Sequence, residues 1–211
     1  VYNKVEIPRG GEYALVLSDG TKVHLNSMSS LRFPVAFTTG KREVELQGEA
    51  YFEVSKTGQP FIVNANGIQV EVLGTTFNIS AYPDEEYQTT LVNGSVKVSA
   101  EKGESLILKP SQQATIALGS NSIQVRTVDT SFYTSWVKGK INFKDQRLED
   151  IMKTLSRWYD MNVVYENEKL KNIRFGCNLN RYEEITPFVK LLEKTEEVHV
   201  KIEGNTITFH N

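Results

Sequence analysis

The sequence predicts a mainly β protein: an N-terminal all-β sandwich or short β-helix-like roll, followed by a small C-terminal α+β domain. Three observations carry this. From Val5 to about Val128 apolar residues recur every second position, the period of a strand with one buried face. Within that stretch the dipeptides Asp19-Gly20, Asn66-Gly67 and Asn93-Gly94 stand between alternating runs, as tight hairpin turns with positive φ require. A helical stripe appears only after Ser135.

The elements follow in order. Tyr13, Leu15 and Leu17 alternate before Asp19-Gly20, and Thr21, Val23 and Leu25 alternate after it. Further alternating runs are Val44–Leu46, Ala50–Val54, Ile68–Val72, Phe77–Ile79, Val96–Val98 and Ala114–Leu118. Many short strands with regular turns fit either a sandwich or a roll, and the pattern leaves both open. The all-β domain is placed at residues 1–130, a linker at 131–139 and the second domain at 140–211. There Lys140–Phe143 reads as a strand and Asp145 as a helix N-cap. Leu148, Ile151, Met152, Leu155 and Trp158 or Tyr159 form one apolar helix face. Asn162–Tyr165 and Ile173–Leu179 read as strands. A second helix carries Ile185, Phe188, Val189 and Leu192, with Pro187 in its first turn, where a missing N–H costs little. Val198–Ile202 and Thr206–Phe209 close a β-α-β-β-α-β-β order.

Composition narrows the function. The chain has 211 residues, 24% of them charged, with a net charge of -2. No basic excess is available to neutralise phosphates, so nucleic acid is not an expected partner. No run approaches the ~20 apolar residues of a membrane span. The first residue is Val1 rather than Met, so the chain is read as a fragment of a longer protein. Cys177 is the one cysteine. It falls on the apolar phase of its strand and reads as a core thiol rather than a nucleophile.

Chemistry-bearing residues do not converge. His24, His199 and His210 are far apart in sequence, and no H-x-H, H-E-x-x-H or C-x-x-C occurs, so no metal site or cofactor is expected. Glu43, Glu45 and Glu53 sit on polar strand phases and read as a charged outer face; Glu49, after Gly48, is ambiguous. Paired carboxylates on an all-β frame keep a carbohydrate-binding or carbohydrate-cleaving β-sandwich as the alternative, with a structural adhesin-like pair of domains behind it. Asp84-Glu85-Glu86 lacks the alternating donors of a calcium loop. No catalytic residue is assigned.

Six ordered blocks carry a resemblance. Ser18-Asp19-Gly20-Thr21 with Val23–Asn26 opens them, and Leu31-Arg32-Phe33-Pro34 follows. Arg42–Val54 is the most distinctive, then Pro60–Val63, Val72–Ile79 and Leu91–Val96. Together they resemble the FecR-type domain of bacterial anti-sigma factors. Lys109–Ala114 departs from the family's Pro-Gly-Gln turn at Ser111. From Lys140 onward, and most clearly at Leu155–Tyr159, the chain resembles the domain that often follows FecR domains. That domain is similar in layout to the short N-terminal domain of secretins and TonB-dependent receptors.

The resemblance implies the periplasmic part of a single-pass inner-membrane regulator. A cytoplasmic segment and a membrane span, both outside this chain, would hold an extracytoplasmic-function sigma factor and anchor the protein. The signal would come from the signalling domain of a TonB-dependent outer-membrane transporter. A small second domain leaves strand edges open for such a partner. The strand from Asn172 to Asn180 is the candidate edge, with Arg174, Gly176 and Asn178 as its polar or small outer phase and candidate partner-binding residues.

Overall fold

The computed structural model describes residues 1–38 and 40–211. The chain divides into two compact units, Val1–Thr134 and Ser135–Asn211.

In the first unit the described residues form β1 (Tyr2–Glu6), β2 (Tyr13–Val16), β3 (Lys22–Leu25), β4 (Ser30–Pro34), β5 (Arg42–Glu53), β6 (Phe61–Ala65), β7 (Ile68–Val72), β8 (Thr76–Ala81), β9 (Tyr87–Asn93), β10 (Val96–Ser99), β11 (Ser105–Leu108), β12 (Gln112–Ile116) and β13 (Gln124–Thr127). They make one sheet along the path β11-β10-β7-β6-β5-β8-β9-β12-β13, with β4 and β1 attached at one end of β5 and β3 and β2 at the other.

The long strand β5 is why this sheet curls. Residues Arg42–Glu45 pair with β6 in parallel, and Glu45–Gln47 pair with β4. Residues Gly48–Glu53 pair with β8 and, over Ala50–Glu53, with β3. Gly48 sits where the partners change, at φ 88°. A Cβ there would lie 2.5 Å from Ser29 Oγ and 2.7 Å from Ser29 Cα, so glycine alone fits the corner. Such a bend lets one strand serve two packed sheets. Even-numbered residues from Arg42 to Phe52 stay buried across the bend. Both halves therefore line one core, with Val23, Leu25, Leu31, Val44, Phe52, Phe77, Leu91 and Leu108 all within it. The fold is mainly β, with a curled sheet that closes over its own core.

Two of the three glycine turns are hairpins. Asn66 at φ 46° and Gly67 at φ 83° join β6 to β7, and Gly20 at φ 84° turns β2 into β3. The structure corrects the third. β9 pairs with β8 and β12, whereas β10 pairs with β7 and β11, so Asn93-Gly94 is a crossover between the halves of the sheet. Gly94 is held at φ 98° with its Cβ direction 2.9 Å from Thr75 Oγ1. Ser111, which stands where the family motif has glycine, also adopts positive φ, 65°. The unit ends in α1 (Ser131–Thr134).

The second unit opens with a 3-10 turn at Ser135–Lys138. It continues β14 (Lys140–Arg147), α2 (Leu148–Trp158), β15 (Asn162–Tyr165), β16 (Arg174–Asn180), α3 (Thr186–Glu193), β17 (His199–Glu203) and β18 (Thr206–His210). The element order is the predicted one, but the strands split into two sheets, β14-β16 and β15-β18-β17. The helix stripe is buried as its spacing requires: Leu148, Ile151, Met152, Leu155 and Trp158 are all core residues. Asp145 does not cap α2. It lies at φ 49° in a bulge of β14 and binds Arg174, while Arg147 occupies the N-cap position. A bulge adds a residue to a strand without ending it, which the short Lys140–Phe143 alternation does not reveal. Histidines distant in sequence also meet: His199 and His210 are direct partners across β17 and β18.

Candidate functional site

Two kinds of polar arrangement stand out, one inside the first unit and one on the edge of the second. Inside, the Asp-Gly-Thr turn and the start of β5 are joined by a buried ion pair. Arg42 Nη1 lies 2.6 Å from Asp19 Oδ2, with the side chains 1% and 7% exposed. Arg42 also donates to the carbonyls of Ser55 (2.9 Å) and Gln59 (2.6 Å) and packs over the Phe61 ring at 5.4 Å. Asp19 in turn accepts from the backbone N–H and hydroxyl of Thr21. Charge-assisted bonds to fixed carbonyls hold Arg42 in one rotamer.

A second network surrounds the Gly48 corner. Both carboxylate oxygens of Glu49 are occupied, by Asn26 Nδ2 at 2.8 Å and Asn78 Nδ2 at 2.9 Å. The Glu49 N–H donates to Ser29 Oγ at 2.8 Å, and Tyr82 OH donates to the Ser27 carbonyl at 2.8 Å. Asn26, Glu49 and Asn78, like Asp19 and Arg42, belong to the blocks that carry the family resemblance, while Ser27, Ser29 and Tyr82 complete the corner from outside them. Sequence reasoning found the blocks but not the pairing between them. That Arg42 falls on the buried phase of its strand was the available signal.

The remaining carboxylates are outward. Glu43 accepts from Asn64, Glu45 pairs with Arg32, and Glu53 lies 3.9 Å from Lys22. Among the described residues no group of three or more His, Cys, Asp or Glu is placed to hold a metal ion. Cys177 is half-buried and burial pushes its thiol up to about 11, which leaves it protonated and unreactive near neutrality. A shallow cleft of about 430 Å³ lies between Tyr2, Pro34–Thr38, Lys41 and Glu43.

On the second unit, Arg174, Gly176 and Asn178 are all exposed and alternate with buried Phe175 and half-buried Cys177. The structure thus brings them to one face of β16. Their backbone direction follows from the ladder. Arg181 N–H donates to Gly139 O at 2.7 Å, and Cys177 and Leu179 oppose Phe143 and Ile141. Hydrogen-bonded positions alternate along an antiparallel strand, so Cys177 and Leu179 face β14. Gly176 and Asn178 then direct N–H and C=O to the opposite edge, where no strand pairs among the described residues. Tyr159 OH reaches the Asn180 carbonyl at 3.2 Å and closes that edge at its far end. The Arg174 side chain is held by Asp145 at 3.0 Å.

The fold and these arrangements define a two-unit, mainly β protein whose interior polar clusters brace strands and whose second unit presents an open strand edge. Comparison with known proteins then places it. The FecR protein model matches residues 3–97 and the FecR C-terminal model matches residues 140–209, together well over half of the chain. The chain belongs to the FecR family. It is similar to two crystal structures of a candidate anti-sigma factor from Parabacteroides distasonis. One is 26% identical, with a TM-score of 0.90 and 99% of each chain covered. The other is 25% identical, with a TM-score of 0.90, covering 100% of this chain and 99% of that one. No curated protein matches the chain.

Proposed function

We propose that this chain is the periplasmic sensing region of a transmembrane anti-sigma factor. It receives a signal from the signalling domain of a TonB-dependent outer-membrane transporter and controls an extracytoplasmic-function sigma factor. The sigma factor is held by a cytoplasmic segment outside this chain, and a membrane span outside this chain connects the two. The observation that carries the reading is the family match in both units together with likeness to an anti-sigma factor structure along the whole chain. No helix among the described residues is long and apolar enough to cross a membrane.

The protein acts by binding and catalyses nothing. The engaged state of Glu43, Glu45, Glu49 and Glu53 supports this over a carbohydrate-cleaving sandwich. Contact with the transporter runs along the edge of β16, where the outward N–H and C=O of Gly176 and Asn178 accept a strand from the partner. Their small or polar side chains let that strand approach without apolar clash.

A transcription reporter for the sigma factor tests this in cells carrying the full-length protein. Removal of residues 140–211 is expected to uncouple reporter output from the transporter's nutrient. A nutrient response that survives this deletion contradicts the proposal.

A further inference from the structure

We infer that His199 and His210 form a two-point binding site for a divalent ion of the late first transition series. The inference rests on the register of β17 against β18 and is independent of the proposed anti-sigma role. The two residues are direct cross-strand partners. Their rings lie 5.6 Å apart between centroids, inclined by 34°. Two imidazole nitrogens each about 2.1 Å from one ion place the ring centres on the order of 5 Å apart, so a small rotation of either ring closes the chelate.

A second observation concerns the nitrogens themselves. His210 Nδ1 lies 3.2 Å from the main-chain oxygen of Asn211. The tautomer that donates there carries its proton on Nδ1 and leaves the Nε2 lone pair available. An oxygen acceptor behind one ring nitrogen is the usual support of a metal-binding histidine, because it fixes tautomer and ring orientation. His199 is exposed and His210 half-buried, so an ion can enter from solvent and keep water in its remaining positions.

The surrounding charges permit this. On β17 the next residue of the same face, Lys201, is paired with Glu203 at 3.0 Å. On the other side, Glu166 N–H donates to Phe209 O and continues the parallel β15–β18 register to a place beside His210. Two imidazoles suit nickel, copper or zinc rather than magnesium or calcium. The two ligands lie on successive strands, so the ion cross-links the hairpin.

The test is calorimetric titration of the protein with Ni²⁺ alone at pH 7.5. One-site binding is expected, weakened at least ~10-fold by His199→Asn and by His210→Asn and unchanged by His24→Asn, since each lost imidazole removes half of the chelate. Proton NMR of the unsubstituted protein gives a second readout that needs no variant to fold. Substoichiometric Ni²⁺ is expected to broaden the ring protons of His199 and His210 before those of His24. No binding up to 1 mM Ni²⁺ (~1 mM, the weak end of useful affinity), equal broadening of all three histidines, or affinity retained in both variants overturns the inference.

Discussion

Replacing Asp19 by Asn tests how the Asp-Gly-Thr turn is tied to β5. The substitution keeps the shape of the side chain and removes its charge. Arg42 is then left 1% exposed without its counter-charge, held only by the carbonyls of Ser55 and Gln59. Its Nε already has no hydrogen-bond partner among the described residues. Breaking a buried ion pair from one side costs about 3–5 kcal/mol, and the Asn amide repels rather than accepts if it turns its NH₂ toward the guanidinium. The expected loss is therefore about 3 kcal/mol. Arg42→Met is expected to cost a similar amount, because it strands Asp19 and two carbonyls. The double change Asp19→Leu with Arg42→Met is expected to cost less than the sum of the singles, the sign of direct coupling.

Both tryptophans, Trp136 and Trp158, belong to the second unit, which makes the assay unit-specific. Urea unfolding followed by far-UV circular dichroism reports on both units, and tryptophan fluorescence reports on the second alone. The dichroism midpoint is expected to fall while the fluorescence midpoint stays. Losses below about 1 kcal/mol in both single variants refute the reasoning, since an exposed pair is worth no more than that.

Other substitutions probe the same frame. Gly48→Ala is expected to destabilise the first unit by more than about 2 kcal/mol, from positive φ and the Ser29 backbone together; urea midpoints measure it. Ser111→Gly is expected to stabilise by about 0.5–1 kcal/mol, because relief of left-handed strain outweighs glycine's entropy cost; a higher melting temperature reads it. Phe52→Ala and Phe77→Ala each empty one side of a stacked pair at 5.1 Å that is fully buried, and each is expected to cost about 3–5 kcal/mol by chemical denaturation. Burial raises the Cys177 thiol from 9.0 to about 11. The folded state therefore favours the protonated form, and this contribution is whole below pH 9 and lost as pH rises towards 11. Thiol titration with a disulfide reagent is expected to be slow at pH 8 and to quicken on unfolding.

Much of this was legible because alternation is local. The buried phases of β5 and β8 and the α2 stripe follow directly from residue spacing. The two true hairpins followed from Asp-Gly and Asn-Gly. Asn93-Gly94 misled because the same dipeptide serves any chain reversal with positive φ, and only strand pairing tells a hairpin from a crossover. The corner at Gly48 was hidden because burial keeps its period straight through the bend. Asp145 failed as a cap because a β-bulge and a helix start both favour a small acidic residue in an unusual backbone conformation. Arg174, Gly176 and Asn178 could be assigned to one face from alternation, whereas the direction of their N–H groups needed the Arg181–Gly139 hydrogen bond. The His199–His210 contact depends on register between two strands, which no single-strand pattern contains.

The most direct measurement of the central claim is calorimetric titration of this chain with the signalling domain of a TonB-dependent outer-membrane transporter, the partner proposed above. Specific one-to-one binding is expected. Gly176→Pro removes an outward N–H from the β16 edge and is expected to weaken that binding at least ~10-fold, with circular dichroism showing that the variant still folds. Absence of binding by the unsubstituted chain, or unchanged affinity in the folded Gly176→Pro variant, contradicts partner docking on this edge.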